Sequence, residues 1–263
     1  MSSSATEATS TTASSTSSAS EKAPPPHDNP PPEQIVDNRV HPTVAKCPPS
    51  WDPRSPEGLG NAGRPIEIVA CGALAGHIRE IAARRGWPVT VRPLPAALHN
   101  RPQQIKGHAE RMLATPETQG SRAVLAYADC GTYGALDKLS AQAGVSRLPG
   151  LHCYDLYAGA AAIEQLFKDE PGTYLLTDYL IRSFERSVIQ PLGLDRHPEL
   201  WQDYFAHYTR LVWLAQRATP ELAEEAARIA GRFNLPLTRI DTGTQALESA
   251  LALLIEPRHD LEA

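Results

Sequence analysis

From about residue 65 onward, short apolar runs alternate with amphipathic stretches. Ile66-Glu67-Ile68-Val69-Ala70 is a compact β-rich run of the length expected for a buried strand. Ala73 to Arg85 places Leu74, Ile78, Ile81 and Ala82 at helical spacing, and Gly86 stops it. Pro88 to Leu94 reads as a second strand, and Pro102 to Leu113 as a helix with its proline in the first turn. A strand over Ala123 to Ala128, a helix over Ala135 to Ala143 and a short strand or loop over Leu148 to Asp155 follow. Asp155 is placed to cap a helix from Leu156 to Phe167. Thr173 to Thr177 is a strand, with Thr177 or Asp178 capping Tyr179 to Val188. Pro198 to Tyr208 reads as a helix and Arg210 to Leu214 as a strand. Thr219 and Pro220 open an amphipathic helix to Phe233, then come a strand from Pro236 to Ile240 and a helix from Gln245 to Leu254.

Strands alternating with helices through links of a few residues predict an α/β fold. The expected form is a single doubly wound, mainly parallel sheet with helices on both faces, Rossmann-like in layout. Residues 1–64 stand apart. Ser3 to Ser20 is nearly all Ser, Thr and Ala, and prolines crowd Pro24 to Pro32. Such a segment has too few apolar side chains to offset the entropy of ordering it. The expected organisation is a disordered arm over 1–64, one α/β domain over 65–256 and a tail over 257–263.

Of the 263 residues, 25 are Lys or Arg and 30 are Asp or Glu, a formal charge of -5 with no basic run. That argues against a nucleic-acid or anionic-membrane surface. No apolar stretch reaches the ~20 residues that span a bilayer, and the N-terminus lacks the basic and apolar regions of a secretory signal. A cytoplasmic location is expected. In that compartment the four cysteines, Cys47, Cys71, Cys130 and Cys153, are not expected to form structural disulfides.

The alternation itself gathers the chemistry. In a parallel sheet with crossover helices, successive strands end on one edge, where ligands bind. Cys71 follows the first strand, His99 lies in the loop after the second, Cys130 follows the third, and Cys153 sits at the fourth junction. Four soft-metal ligands thus fall on the carboxyl edge, one per strand. Thiolates with imidazole suit zinc or iron, and cysteines also hold iron–sulfur clusters. Tyr127, Asp129, Gly131, His152, Tyr154 and Gly72 are the expected surroundings. No Cys-x-x-Cys pair fixes two ligands locally, so convergence is left to the fold.

Two other readings use the same residues. A cysteine at a helix start beside a histidine can be a nucleophile, with Cys130 paired to His99 or His152 and Asp129 orienting the imidazole. A non-catalytic binding or scaffold protein, with the arm recruiting partners, is the third. Free cysteines are also ordinary core residues. His77, His108, His197 and His207 read as helix-surface positions, and Trp201, Tyr204, Phe205 and Tyr208 as packing. Neither a dinucleotide fingerprint nor a Walker A sequence is present.

From about Ile66 to Ile255 the chain resembles the DUF1638 family. The residues that carry the resemblance are Cys71-Gly72, Leu98-His99-x-x-Pro102, Tyr127-x-x-Cys130-Gly131, Cys153 and Pro171-Gly172-Thr173-Tyr174-Leu175-Leu176-Thr177. Family members usually carry Gly where this chain has Ala128, and many carry Trp soon after the Leu-Thr pair, where it has Tyr179. The resemblance implies an accessory role in corrinoid-dependent one-carbon metabolism, with a corrinoid or methyltransferase protein as partner.

Overall fold

The computed structural model describes residues 66–256. The expected arm over 1–64, Cys47 within it, and the tail over 257–263 lie outside the described residues. Seven strands, all paired parallel, alternate with helices. The α/β class is therefore as the sequence predicts.

The first half forms a four-stranded sheet. Its strands are β1 (Ile66–Cys71), β2 (Val89–Leu94), β3 (Arg122–Ala126) and β4 (Ser146–Arg147), in the order β2-β1-β3-β4. β1 is buried along its whole length, which suits its continuous apolar character in a central parallel strand. Helix α1 (Ala75–Arg85) follows β1 and ends at Gly86 in the left-handed conformation. Helices α2 (Ile105–Leu113) and α3 (Pro116–Gln119) lie between β2 and β3, and α4 (Ala135–Ala143) lies between β3 and β4.

The chain then runs through α5 (Asp155–Ala158) and α6 (Ala160–Asp169) into a three-stranded sheet. There β5 (Thr173–Thr177), β6 (Arg210–Ala215) and β7 (Leu237–Asp241) lie in the order β5-β6-β7. The strands are thus shared between two sheets where a single sheet is expected. The reason lies at β4, which is two residues long and pairs only with β3. Leu148-Pro149 follows it at once, and proline has no N–H to extend a ladder. β5 pairs with β6 instead.

Each sheet carries its own apolar cluster. Ile68, Val69, Leu74, Ile78, Val124, Leu125 and Leu136 centre the first. Helix α7 (Asp178–Phe184) leads into a short π-helical segment at Glu185–Ile189, and α8 (Trp201–Phe205) follows. With α9 (Pro220–Phe233) these elements cover the second sheet, burying Phe184, Phe205, Ile229 and Phe233. Thr219 Oγ1 accepts from Leu222 N, as expected of its cap, and Asn234 closes α9 in the left-handed region. Trp201, Phe205 and Tyr208 pack among Tyr174 and Phe233, so the aromatic set is packing. Helix α10 (Gln245–Ile255) returns to the first sheet. Leu247, Leu251 and Ile255 join its cluster, and the Arg122 guanidinium donates to the Ile255 carbonyl at 3.0 Å.

One helix also differs from expectation. The helix expected over Leu156 to Phe167 is broken at Gly159, whose φ of 82° interrupts it. Asp155 does not cap it; its Oδ2 accepts from Leu151 N at 2.8 Å and His152 N at 3.1 Å, holding the preceding loop.

Candidate metal centre

The order β2-β1-β3-β4 reverses direction between β1 and β3, where an open α/β sheet leaves a crevice at its carboxyl edge. Cys71 is the last residue of β1 and Cys130 lies just beyond β3, so both flank that crevice. His99 and Cys153 reach the same place from the flanking junctions.

His99 arrives on a 3-10 turn, Ala96–Asn100, between prolines 95 and 102. Gly72 lets that turn in. A Cβ at Gly72 would stand 2.5 Å from the Leu94 carbonyl oxygen and 2.9 Å from Ala96 N, so only glycine allows the backbone after β2 to lie against the end of β1. The turn aims both imidazole nitrogens at thiols. Nε2 lies 3.5 Å from Cys153 Sγ, while Nδ1 lies 4.0 Å from Cys71 Sγ and 3.2 Å from the Ala96 carbonyl. With its proton on Nδ1 and donated to that carbonyl, the ring presents a bare Nε2 on the Cys153 side. Backbone carbonyls orient metal-binding imidazoles in this way.

Cys130 and Cys153 are joined through the backbone. Asp129 N donates to the Gly150 carbonyl at 3.0 Å, and Cys130 N to the Leu151 carbonyl at 2.7 Å. Cys130 itself has φ 49°, Gly131 80°, Tyr133 51° and Gly134 79°. Left-handed conformations at two non-glycine residues in one loop are uncommon, and such strain clusters at functional sites. Asp129 holds the loop. Its carboxylate accepts from Thr132 Oγ1 at 2.8 Å, Tyr133 N at 3.0 Å and Gly134 N at 2.8 Å. The expected orientation of a histidine by Asp129 is not among its hydrogen bonds.

A ligand atom from each of His99, Cys130 and Cys153 lies within 4.8 Å of the other two. Cys71 stands beside them on the Nδ1 side of the imidazole. Cys71 and Cys130 are buried and Cys153 is partly buried, and all three are free thiols. A hydrogen bond with Cys153, reinforced by burial, pushes the Cys71 thiol well up; contact with Cys130 and burial raise Cys153. For His99, burial opposes the charged form, while the Cys153 and Cys71 sulfurs favour it strongly enough to raise it well above its ordinary value. These directions belong to different charge states. The first dominates when all thiols are protonated; the imidazolium is held once a thiolate forms beside it. Cys71 and Cys153, buried and in contact, favour the protonated state until a cation replaces the protons.

Tyr127 ends the β3 run with its side chain fully buried. Its ring lies along His99, centroids 6.0 Å apart and 22° from parallel, and the only side chain within hydrogen-bonding reach of its hydroxyl is the weak acceptor Cys71. Burial raises its pKa, with Cys71 the charge that acts on it most. Arg147, the last residue of β4, fixes this corner by donating to the carbonyls of Tyr127 at 3.0 Å and Leu148 at 2.8 Å. The ring of His152 lies beside Tyr154, centroids 6.3 Å apart, and burial lowers its pKa. Tyr154 packs against the cluster around Leu175, Val212 and Leu214 of the second sheet.

Three contributors are absent from the sequence reading. The Ala96 carbonyl carries no sequence signal. Arg147 could have been noticed as a cation ending a strand at the carboxyl edge. Tyr157 donates to or accepts from His77 Nδ1 at 2.7 Å, so His77 is tied into the fold as well as partly exposed.

The fold and this corner define an α/β protein with a thiol–imidazole cluster at the carboxyl edge of its first sheet. The family model described as protein of unknown function DUF1638 matches residues 93–251, more than half of the chain, and the chain belongs to that family. The match begins at Pro93, so Cys71-Gly72 lies outside it and His99, Cys130 and Cys153 lie within. No curated protein and no solved structure is detectably similar to the chain. Among the described residues, no helix is long and apolar enough to cross a membrane.

Proposed function

We propose that the protein binds a single transition-metal ion, zinc or iron, through His99, Cys130 and Cys153, with Cys71 at the margin of the site. The observation that carries this reading is the convergence of three ligand atoms within 4.8 Å from three separate junctions. Thiolate and imidazole donors suit these metals, and one ion of Zn–S about 2.3 Å brings its ligands to such separations. Ligand atoms packed this closely favour a single ion over an iron–sulfur cluster, whose thiolates are spread over several irons.

The rival reading is a metal-free enzyme with Cys130 as nucleophile. The imidazole contacts favour Cys153 and Cys71 over Cys130 as the thiol acted on by His99. The corrinoid partner implied by the family resemblance draws on no particular residue of the site, and the proposal stops at the metal.

Metal analysis of the full chain purified without oxygen tests the reading. One equivalent of zinc or iron, lost in Cys130→Ser and in Cys153→Ser, is the expected result. Substoichiometric metal that neither substitution changes rejects it.

A further inference from the structure

We propose that Cys130 and Cys153 are a redox site as well as ligands: a hydroperoxide closes the pair to a disulfide, and the chain then releases its metal ion. The inference rests on the metal reading above and adds its regulation.

The placement of the sulfurs carries it. Sγ of Cys130 and Sγ of Cys153 lie within 4.8 Å of each other. A disulfide needs them at about 2.0 Å, so they must close by less than about 3 Å, a shift on the scale of side-chain rotation. Both are free thiols. Their loops already run side by side, through the bonds from Asp129 N to the Gly150 carbonyl and from Cys130 N to the Leu151 carbonyl.

Cys153 has two thiols within reach, because it also touches Cys71. The backbone decides between them. Cys130 and Cys153 both lie outside the strands and helices, and each loop contains a glycine at positive φ, Gly131 at 80° and Gly150 at 102°. Cys71 is the last residue of β1, the strand flanked by β2 and β3, and it pairs with Leu94. Its carbonyl accepts from Leu74 N at 2.9 Å, and Gly72 after it lies wedged against Leu94 and Ala96. Moving Cys71 strains the central ladder, whereas drawing two loop cysteines together leaves both sheets as they are.

Exposure sets the order of events. Cys153 is partly exposed, whereas Cys130 is 7 % and Cys71 1 % exposed. Leu151 and Tyr133, in the loops that carry the two cysteines, are exposed, so those loops face the medium. Metal-bound cysteines are thiolates, the form that attacks a peroxide. With hydrogen peroxide, Cys153 Sγ attacks one oxygen, the O–O bond breaks and hydroxide leaves, giving the sulfenic acid. Cys130 Sγ then attacks Cys153 Sγ, the S–O bond breaks and a second hydroxide leaves, giving the disulfide. The two sulfurs lose two electrons to the peroxide, and two protons from solvent turn the hydroxides to water. Of the three donors only His99 is left, too few to hold the ion. A neighbouring thiol that resolves the sulfenic acid is the arrangement of reversible cysteine sensors.

The test treats the zinc-loaded full chain with hydrogen peroxide, since zinc has no redox chemistry of its own. Released zinc is read with a colorimetric chelator. Disulfides are read by mass mapping of unreduced peptides after the remaining thiols are alkylated. The expected result is one zinc released per disulfide, a link between Cys130 and Cys153, and zinc binding weakened at least about a hundredfold until dithiothreitol restores it. A link from Cys153 to Cys71 or Cys47 in its place overturns the inference. So does zinc release without a disulfide, or a pair that stays free under excess peroxide. If the chain holds no zinc, the metal reading fails; peptide mapping of that same protein then decides on the pair alone, a Cys130–Cys153 link supporting the redox site and its absence rejecting it.

Discussion

The two sheets place polar groups at the same edge and treat them in opposite ways. At the carboxyl edge of the second sheet, Asp178 is completely buried, yet each of its groups is matched. Trp213 Nε1 donates to Oδ1 at 2.9 Å, Gln216 N to Oδ1 at 3.2 Å and Arg217 N to Oδ2 at 2.7 Å. Asp178 N donates in turn to Gln216 Oε1 at 3.1 Å. This network closes on itself and ties β5 to β6. At the carboxyl edge of the first sheet, thiols and an imidazole crowd together, a buried phenol has only a thiol in reach and the loop backbone is strained. Burial at the edge is common to both. What separates them is satisfaction: a closed polar network needs nothing added, while an unsatisfied one is stable only if something else completes it.

The comparison can be broken from either side. The largest expected effect is on the second sheet. Phe233→Ala removes the ring against which Phe184, Trp201 and Phe205 pack, and should lower unfolding free energy by about 3–5 kcal/mol in denaturant titration. Metal content of the folded fraction should not change; a matching loss of metal would mean that the two halves do not act separately.

Next comes the cluster. Cys153→Ser should weaken metal binding at least a hundredfold, or about 2.7 kcal/mol, in competition with a chelator. The metal-free protein should melt within a few degrees of wild type, since a raised, crowded thiol contributes little to folding. Equal affinities would remove Cys153 from the site.

Asp178→Asn keeps the shape of the side chain but replaces an acceptor oxygen with a donor that faces N–H groups. It should cost about 1–3 kcal/mol of stability by thermal denaturation. Metal affinity should be that of wild type, and a stability loss too small to detect would show that the network is not structural.

The pH dependence sharpens the comparison further. Cys153 must lose its proton to bind metal, and its pKa is raised in the metal-free protein. Affinity should therefore rise with pH, by about tenfold per unit for each proton released while the medium stays below that pKa. Titration at several pH values checks the slope. A flat profile would mean that the thiols are already ionised.

The smallest effect is expected at Tyr127. Because its hydroxyl has no oxygen or nitrogen partner and only the weak acceptor Cys71 in reach, Tyr127→Phe should change stability by less than about 1 kcal/mol. A larger loss of stability would reveal a stronger partner for the phenol within the protein.

Much of this architecture is legible in the chain. Apolar runs at Ile66 and Ala123, the helix cap at Thr219 and the stop at Gly86 act over a few residues, so local physics sets them. The parallel alternation then assigns Cys71, His99, Cys130 and Cys153 to one edge without any local motif. The break between the sheets was not legible, because it depends on how many ladder bonds a two-residue β4 can offer to a partner elsewhere in the chain. Asp155 misled for a similar reason. Its capping chemistry was read correctly, but it serves the loop before it, a choice made by where Leu151 and His152 lie.

The sequence by itself determined the class of fold, the edge at which the reactive residues gather and the types of ligand gathered there, since strand polarity and residue chemistry suffice for each. Only the tertiary structure decided which of them meet. The backbone bridge from Cys130 to Leu151 and the close passage at Gly72 bring Cys130, Cys153 and the His99 ring together, with Cys71 beside the Nδ1 edge and in contact with Cys153. Distances of a few ångströms between residues as far as 54 positions apart depend on the packing of whole elements, which no local pattern encodes.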